Sequence, residues 1–232
     1  MLTGVLRRID RFNAAHPWSH NDVYHRWLLR QLPPRLPRAL DVGCGTGNLV
    51  RAIARRADLA EGIDRDPAVI AVASARSVTW PNAVFAVRDL RDVAGEGQYA
   101  AVTAIAMVHH LPLAEALAKM RSLLAPGGQI LIIGCYRETT PADYLVAVLA
   151  SPVNMVIGLL KSARASEARV AMSAPVLPAQ QTLAEVRQTA AQVLPGARIR
   201  RRLFWRYSLT YTANRDSSEG FPRVSRVFSP RP

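Results

Sequence analysis

The segment LDVGCGTGNLV, residues 40–50, sets three alternate glycines between a short apolar run and the start of a helical pattern. Glycines this close together let backbone approach a ligand, because they carry no side chain to keep it away. Their spacing, Gly43, Gly45 and Gly47, is G-x-G-x-G. A dinucleotide fingerprint is spaced G-x-G-x-x-G, so the third glycine comes one residue early, and Asn48 stands where that pattern wants glycine. No G-K-[ST] follows, which excludes a triphosphate P-loop. Asp41, just ahead of the glycines, would repel a phosphate and welcome an ammonium group.

Outward from this segment the pattern alternates. RALDV, residues 38–42, reads as a strand, and NLVRAIARRA as a helix with arginines on its outer face. LAEGID is a second strand. DPAVIAVASARS is a helix with Asp66 placed to cap it and Pro67 at its first position. AVFAVRD, YAAVTAIA and GQILIIGC are further strands, with LAEALAKMRSLL a helix before the last. Thr182 and Glu185 are spaced as a capping box opening LAEVRQTAAQVL, and PGARIRRRLFWRYSLTYTA reads as two more strands. Strands alternating with helices imply a parallel sheet covered on both faces.

Two more acids fall at strand ends. Asp64 closes the second strand, 17 residues past Gly47, where a carboxylate accepts hydrogen bonds from both hydroxyls of a ribose. Asp89 closes the third as a candidate acceptor for an adenine amino group. Three acids on successive strands suit a nucleoside without phosphates that carries an amino-acid tail. S-adenosylmethionine is that ligand.

The ordered set ALDVGCGTGNL, EGIDRDP, VRDL, YAAVTAIAMVHHL and LLAPGGQILIIG resembles the motifs of the class I S-adenosylmethionine-dependent methyltransferases, over roughly residues 38–135. The resemblance implies an α/β, Rossmann-like, seven-stranded, mostly parallel sheet with helices on both faces and an antiparallel last strand. It also implies roles. Asp41 and the loop of Gly43, Cys44, Gly45 and Gly47, with Asn48 after it, would meet the methionyl part of the cofactor. Asp64 would take the ribose, Arg65 the adenine face, and Asp89 with Leu90 the adenine. Ala106 and Met107 would lie near the sulfonium, and S-adenosylhomocysteine would be the product. In similar enzymes an N-terminal helix closes over the cofactor, so Tyr24 or His20 is expected to touch it or the acceptor.

Methyl transfer needs alignment first and a base only when the acceptor must lose a proton. His109 and His110, after the fourth strand, are the candidate bases, with His20 a third. No histidine has the acidic or cysteine companions of a metal site. Residues 1–36 read as an N-terminal helical cap, 37–213 as the cofactor-binding domain, and 214–232 as a loose tail. Residues 139–180 are expected to form a small helical lid after the fifth strand, whose apolar character favours a hydrophobic small-molecule acceptor.

The formal net charge is +13, and all but two of the 30 basic residues are arginine. They cluster only at RIRRRLFWR, residues 198–206, which argues against a dedicated nucleic-acid arm. The two cysteines, Cys44 and Cys135, make no secreted disulfide framework. The beginning of the sequence lacks a signal peptide's apolar core, and YLVAVLASPVNMVIGLL, residues 144–160, falls short of the ~20 residues a membrane span needs. A cytoplasmic enzyme is expected, methylating an oxygen or nitrogen of an apolar, aromatic or polyketide-like metabolite. The alternatives are an RNA methyltransferase, although no [DN]-P-P-[YFW] follows the fourth strand, and a non-catalytic S-adenosylmethionine-binding module.

Overall fold

The computed structural model describes residues 20–140, 179–203 and 205–215, with side chains from Tyr24 onward. The expected lid, tail and N-terminal cap fall largely outside them. Seven strands form one sheet: β1 (Leu36–Val42), β2 (Ala57–Asp64), β3 (Ala83–Val87), β4 (Tyr99–Ile105), β5 (Leu124–Cys135), β6 (Arg198–Arg202) and β7 (Arg206–Thr212). Their order is β3-β2-β1-β4-β5-β7-β6. β7 lies antiparallel to both β5 and β6, whereas the pairs among the first five strands are parallel.

Among the described residues five α-helices flank the sheet: α1 (His20–Gln31), α2 (Asn48–Ala54), α3 (Pro67–Ala75), α4 (Leu113–Ser122) and α5 (Leu183–Val193). Alternation along each strand divides the core into two layers. Leu40, Val42, Ile130 and Ile132 pack with Leu117 and Met120 of α4 and Val186 of α5. Ala39, Leu131 and Ile133 face the other way, onto Leu28 of α1, Leu49 and Ile53 of α2, and Ile70 of α3. Leu117 is wholly buried, so its truncation to alanine would cost about 2–5 kcal/mol.

Caps set the helix ends. Asp66 Oδ1 accepts from the Ala68 amide at 2.8 Å at the start of α3. The Thr182–Glu185 capping box forms as expected, with Glu185 Oε2 accepting the Thr182 amide at 2.7 Å. Three strands begin earlier than the sequence pattern indicates, β2 among them, at Ala57 rather than Leu59. β1 starts at Leu36 with Pro37 inside it, and β5 starts at Leu124, where a register shift between Tyr99 and Ala101 absorbs the Pro126-Gly127-Gly128 stretch. β3 ends at Val87, two residues short of Asp89.

The chain runs from β1 to β2 on one side and later places β4 on the other. In open α/β sheets such a reversal opens a crevice at the carboxyl ends of the strands. The glycine loop follows β1 at that point.

Candidate active site

The loop after β1 is pinned before it reaches its glycines. The amides of Gly43 and Cys44 both donate to the Ile63 carbonyl of β2, at 2.8 and 3.0 Å. Gly43, Gly45 and Gly47 all have positive φ, of 70, 53 and 78°. The glycines face different surroundings. A Cβ on Gly43 would strike the Met107 side chain, and one on Gly47 would strike the Phe85 ring, whereas one on Gly45 would project into open space. Gly45 is therefore the position whose missing side chain leaves room for a ligand.

Asp41 lies 4% exposed near the end of β1, opposite Thr103 of β4. Thr103 Oγ1 donates to its carboxylate at 2.7 Å. Burial pushes the Asp41 carboxyl up to about 7, a rise opposed by the Thr103 hydrogen bond and reinforced by the charge of Asp64. Asp64 is fixed by two amides: Gly45 N–H donates to Oδ2 at 3.0 Å and Asp66 N–H to Oδ1 at 3.1 Å. Each carboxylate oxygen keeps a second lone pair for another donor.

Asp89 caps the 3-10 turn Leu90–Asp92 by accepting the Arg91 amide at 2.9 Å. The Arg91 guanidinium and backbone hold its carboxyl down at about 2, with Arg65 Nε adding charge from 3.5 Å. The Leu90 side chain is buried in the core. Asn48 Oδ1 is taken up by Arg51, which also donates to the Thr46 carbonyl and Ser77 Oγ. Burial pushes the Cys44 thiol up, so it is no nucleophile at neutral pH.

β4 ends in strain. Ala106 adopts φ 50°, a conformation non-glycine residues rarely take, and its amide donates to the Ile133 carbonyl at 2.7 Å. Strain of this kind clusters at functional sites. Met107 then turns back against Gly43, and the 3-10 turn Val108–His110 brings the His109 and His110 rings to 4.0 Å between centroids, tilted 38° to each other.

Tyr24 stands farther along the same edge. Its hydroxyl donates to the Leu203 carbonyl at 2.6 Å, and burial pushes the phenol up to about 12. The His20 side chain lies outside the described residues. Among the described residues no three His, Cys, Asp or Glu gather to hold a metal, and no helix is long and apolar enough to cross a membrane.

The sequence pattern did not pick out Thr103, Arg51 or Phe85. Thr103 had a signal: it is the one aliphatic hydroxyl in the largely apolar strand YAAVTAI.

The family model described as methyltransferase domain matches residues 39–128, which span the loop, the three acids and the histidine pair. An uncharacterized methyltransferase of Mycobacterium tuberculosis is 30% identical over 206 residues, covering 85% of this chain and 98% of its own. The chain belongs to the S-adenosylmethionine-dependent methyltransferases. This methyltransferase is also 38% identical over 161 residues to a ubiquinone biosynthesis O-methyltransferase of Xanthomonas campestris, covering 62% of this chain and 66% of that one. Among solved structures it is similar in fold to the magnesium protoporphyrin IX methyltransferase of Synechocystis with bound S-adenosylmethionine. The TM-score is 0.52 at 17% identity, over 89% of this chain and 81% of that one. As a member of that family, this methyltransferase uses S-adenosylmethionine as its methyl donor.

Proposed function

We propose that this methyltransferase moves the methyl group to an oxygen or nitrogen of a hydrophobic small molecule held beyond the end of β4, in the cytoplasm. The observation that carries the proposal is the His109–His110 pair, set side by side on the turn that follows the strained Ala106 and the Gly43-packed Met107. An imidazole in that place can take a proton from a phenol or hydroxyl near neutral pH.

The residues present fit the donor. The open space at Gly45 gives it a cradle, and the buried Asp41 and anchored Asp64 offer negative charge to a ligand that is itself cationic. Asp41 and the loop of Gly43, Cys44, Gly45 and Gly47 hold the methionyl part, with Asn48 fixing the loop through Arg51. Asp64 accepts the ribose hydroxyls. Asp89 takes the adenine amino group with Arg65 over the ring, and Leu90 contributes backbone, since its side chain is in the core. Ala106 and Met107 line the reacting end. When bound, the donor supplies an electrophilic methyl on a sulfonium that departs with its electron pair as S-adenosylhomocysteine. The chain's own residues align the acceptor, and His109 or His110 removes its proton.

The name of the Xanthomonas relatives supports a small-molecule acceptor. The arginine run supports it as well. It lies on the edge strand β6, with Arg198 and Arg200 exposed and the Arg202 guanidinium stacked over Trp27, so it makes no continuous phosphate-tracking face. Methyl-labelled donor offered with hydroxylated aromatic compounds and with total RNA tests the proposal. Label in the organic-extractable fraction is expected. Label confined to acid-precipitable RNA would reverse it.

A further inference from the structure

β7 enters the sheet at Arg206, whose cross-strand partners are Cys135 of β5 and Arg202 of β6. Two guanidinium groups directly opposite each other on neighbouring strands repel. Among the described residues Arg202 is steadied by neutral groups. Its Nε donates to Ser208 Oγ at 2.9 Å, and its guanidinium lies 4.7 Å from the centre of the Trp27 ring. Arg206 has less, for its Nε is shut away from solvent and meets no acceptor among the described residues. The ion pairs within the described residues join Arg38 to Glu61 and join Arg65 and Arg91 to Asp89, so no carboxylate there reaches Arg202 or Arg206. A shielded guanidinium donor without an acceptor is a costly arrangement, and an anion completes it.

The register says where such an anion would lie. Ile105, the last residue of β4, pairs with Ile133 of β5, and Cys135, two residues farther along β5, pairs with Arg206. Arg206 therefore lies at the carboxyl edge of the sheet, two strand spacings, about 10 Å, across from the line of β4, whose following turn is where the methyl group is to be delivered. On the helix side the pair is closed by Tyr24 of α1, whose phenol feels the charges of both arginines and whose hydroxyl is already committed to the Leu203 carbonyl.

We propose that Arg206, with Arg202 beside it, forms an anion-binding subsite that takes a carboxylate carried by the methyl acceptor. The subsite rests on the acceptor lying beyond β4, as proposed above. A carboxylate suits it because a guanidinium presents two parallel N–H donors that match two carboxylate oxygens. The acceptor is then a hydrophobic ring with a hydroxyl or amine at one end and an acid at the other.

The test uses the full chain saturated with S-adenosylhomocysteine, benzoate as the probe, and benzamide as its neutral counterpart. Calorimetry and the arginine Nε–Hε region of nitrogen–proton spectra read the binding. Benzoate is expected to bind saturably and about tenfold or more tighter than benzamide, since an ionic pair in a shielded site gains that much. It should shift one Nε–Hε signal that is missing in Arg206→Gln, and that variant should lose the preference while keeping its affinity for S-adenosylhomocysteine. Arg206→Lys, with the charge but not the fork, should retain only part of it. Equal binding of the two probes by the unaltered protein, or no benzoate binding at all, would overturn the proposal whatever the variants do. So would a benzoate preference that survives in Arg206→Gln. No benzoate binding together with a large loss of thermal stability in Arg206→Gln would assign the guanidinium to a pair within the chain. Failure of the unaltered protein to bind S-adenosylhomocysteine would instead count against the cofactor placement, because benzoate binding can be read without it.

Discussion

Asp41 and Thr103 stand opposite each other on the parallel strands β1 and β4, and the Thr103 hydroxyl donates to the Asp41 carboxylate across 2.7 Å inside the core. Burial holds this carboxyl, whose ordinary value is 3.8, up at about 7 against the opposing pull of the Thr103 bond. An acid kept there awaits a cation, and its cost to the fold depends on pH.

The sign follows from proton counting. Between about pH 4 and 7 the folded chain binds the Asp41 proton and the unfolded chain does not. The contribution of Asp41 to stability is therefore full below about pH 4 and lost as pH rises through 7. Asp41→Asn should melt above the unaltered protein at pH 8 and close to it at pH 4, with about 2–4 °C gained for each kcal/mol of penalty relieved. The same variant should bind S-adenosylhomocysteine about tenfold or more weaker at pH 8, for want of a charged partner to the ammonium. Thermal melts and calorimetry at the two pH values check both halves.

The glycines of the loop should separate stability from binding. Gly43→Ala adds a methyl group against Met107 at positive φ, which should cost about 1–3 kcal/mol of stability. Met107→Ala in the same chain should recover part of that loss. Gly45→Ala meets no neighbour and should lose only the roughly 1–2 kcal/mol of left-handed strain, yet its methyl group occupies the cradle and should weaken cofactor binding more than tenfold. Denaturation curves and calorimetry on the variants report the two effects independently.

For the histidine pair the prediction concerns rate. Replacing the residue that acts as base, His109 or His110, by alanine should lower kcat about 100-fold and leave cofactor affinity unchanged. The loss should shrink as pH rises, because hydroxide and an ionised acceptor replace the missing base. Full activity in both single variants would place proton removal elsewhere or make it unnecessary.

Much of this was legible in the sequence for physical reasons. The early third glycine, the acid before it, the acid at the end of β2 and the one just past β3 are local chemistry, and local chemistry survives in the linear order of residues. The Asp66 and Thr182 caps are local too. What stayed hidden depends on residues distant in sequence. No pattern in residues 198–212 says that β7 inserts between β5 and β6, and the antiparallel last strand came from the family resemblance. Nor does the sequence tell that Met107 fills the space over Gly43, that Arg51 ties Asn48 to Ser77, or that Tyr24 reaches Leu203, 179 positions away. Asp89 was read as a strand-end acid, but β3 stops at Val87 and Asp89 caps the following turn, a role it can combine with a ligand.

The central claim is that the acids at the carboxyl ends of β1 and β2 receive S-adenosylmethionine, and Asp64 tests it most directly. Its two oxygens hold the Gly45 and Asp66 amides while each keeps room for a ribose hydroxyl. Calorimetric titration of the unaltered protein and of Asp64→Ala with S-adenosylmethionine should give a loss of about 100-fold or more, as two hydrogen bonds to a charged acceptor disappear. Folding of the variant is to be confirmed by a cooperative melt. An affinity in folded Asp64→Ala equal to that of the unaltered protein would contradict the account and remove the cofactor from this edge of the sheet.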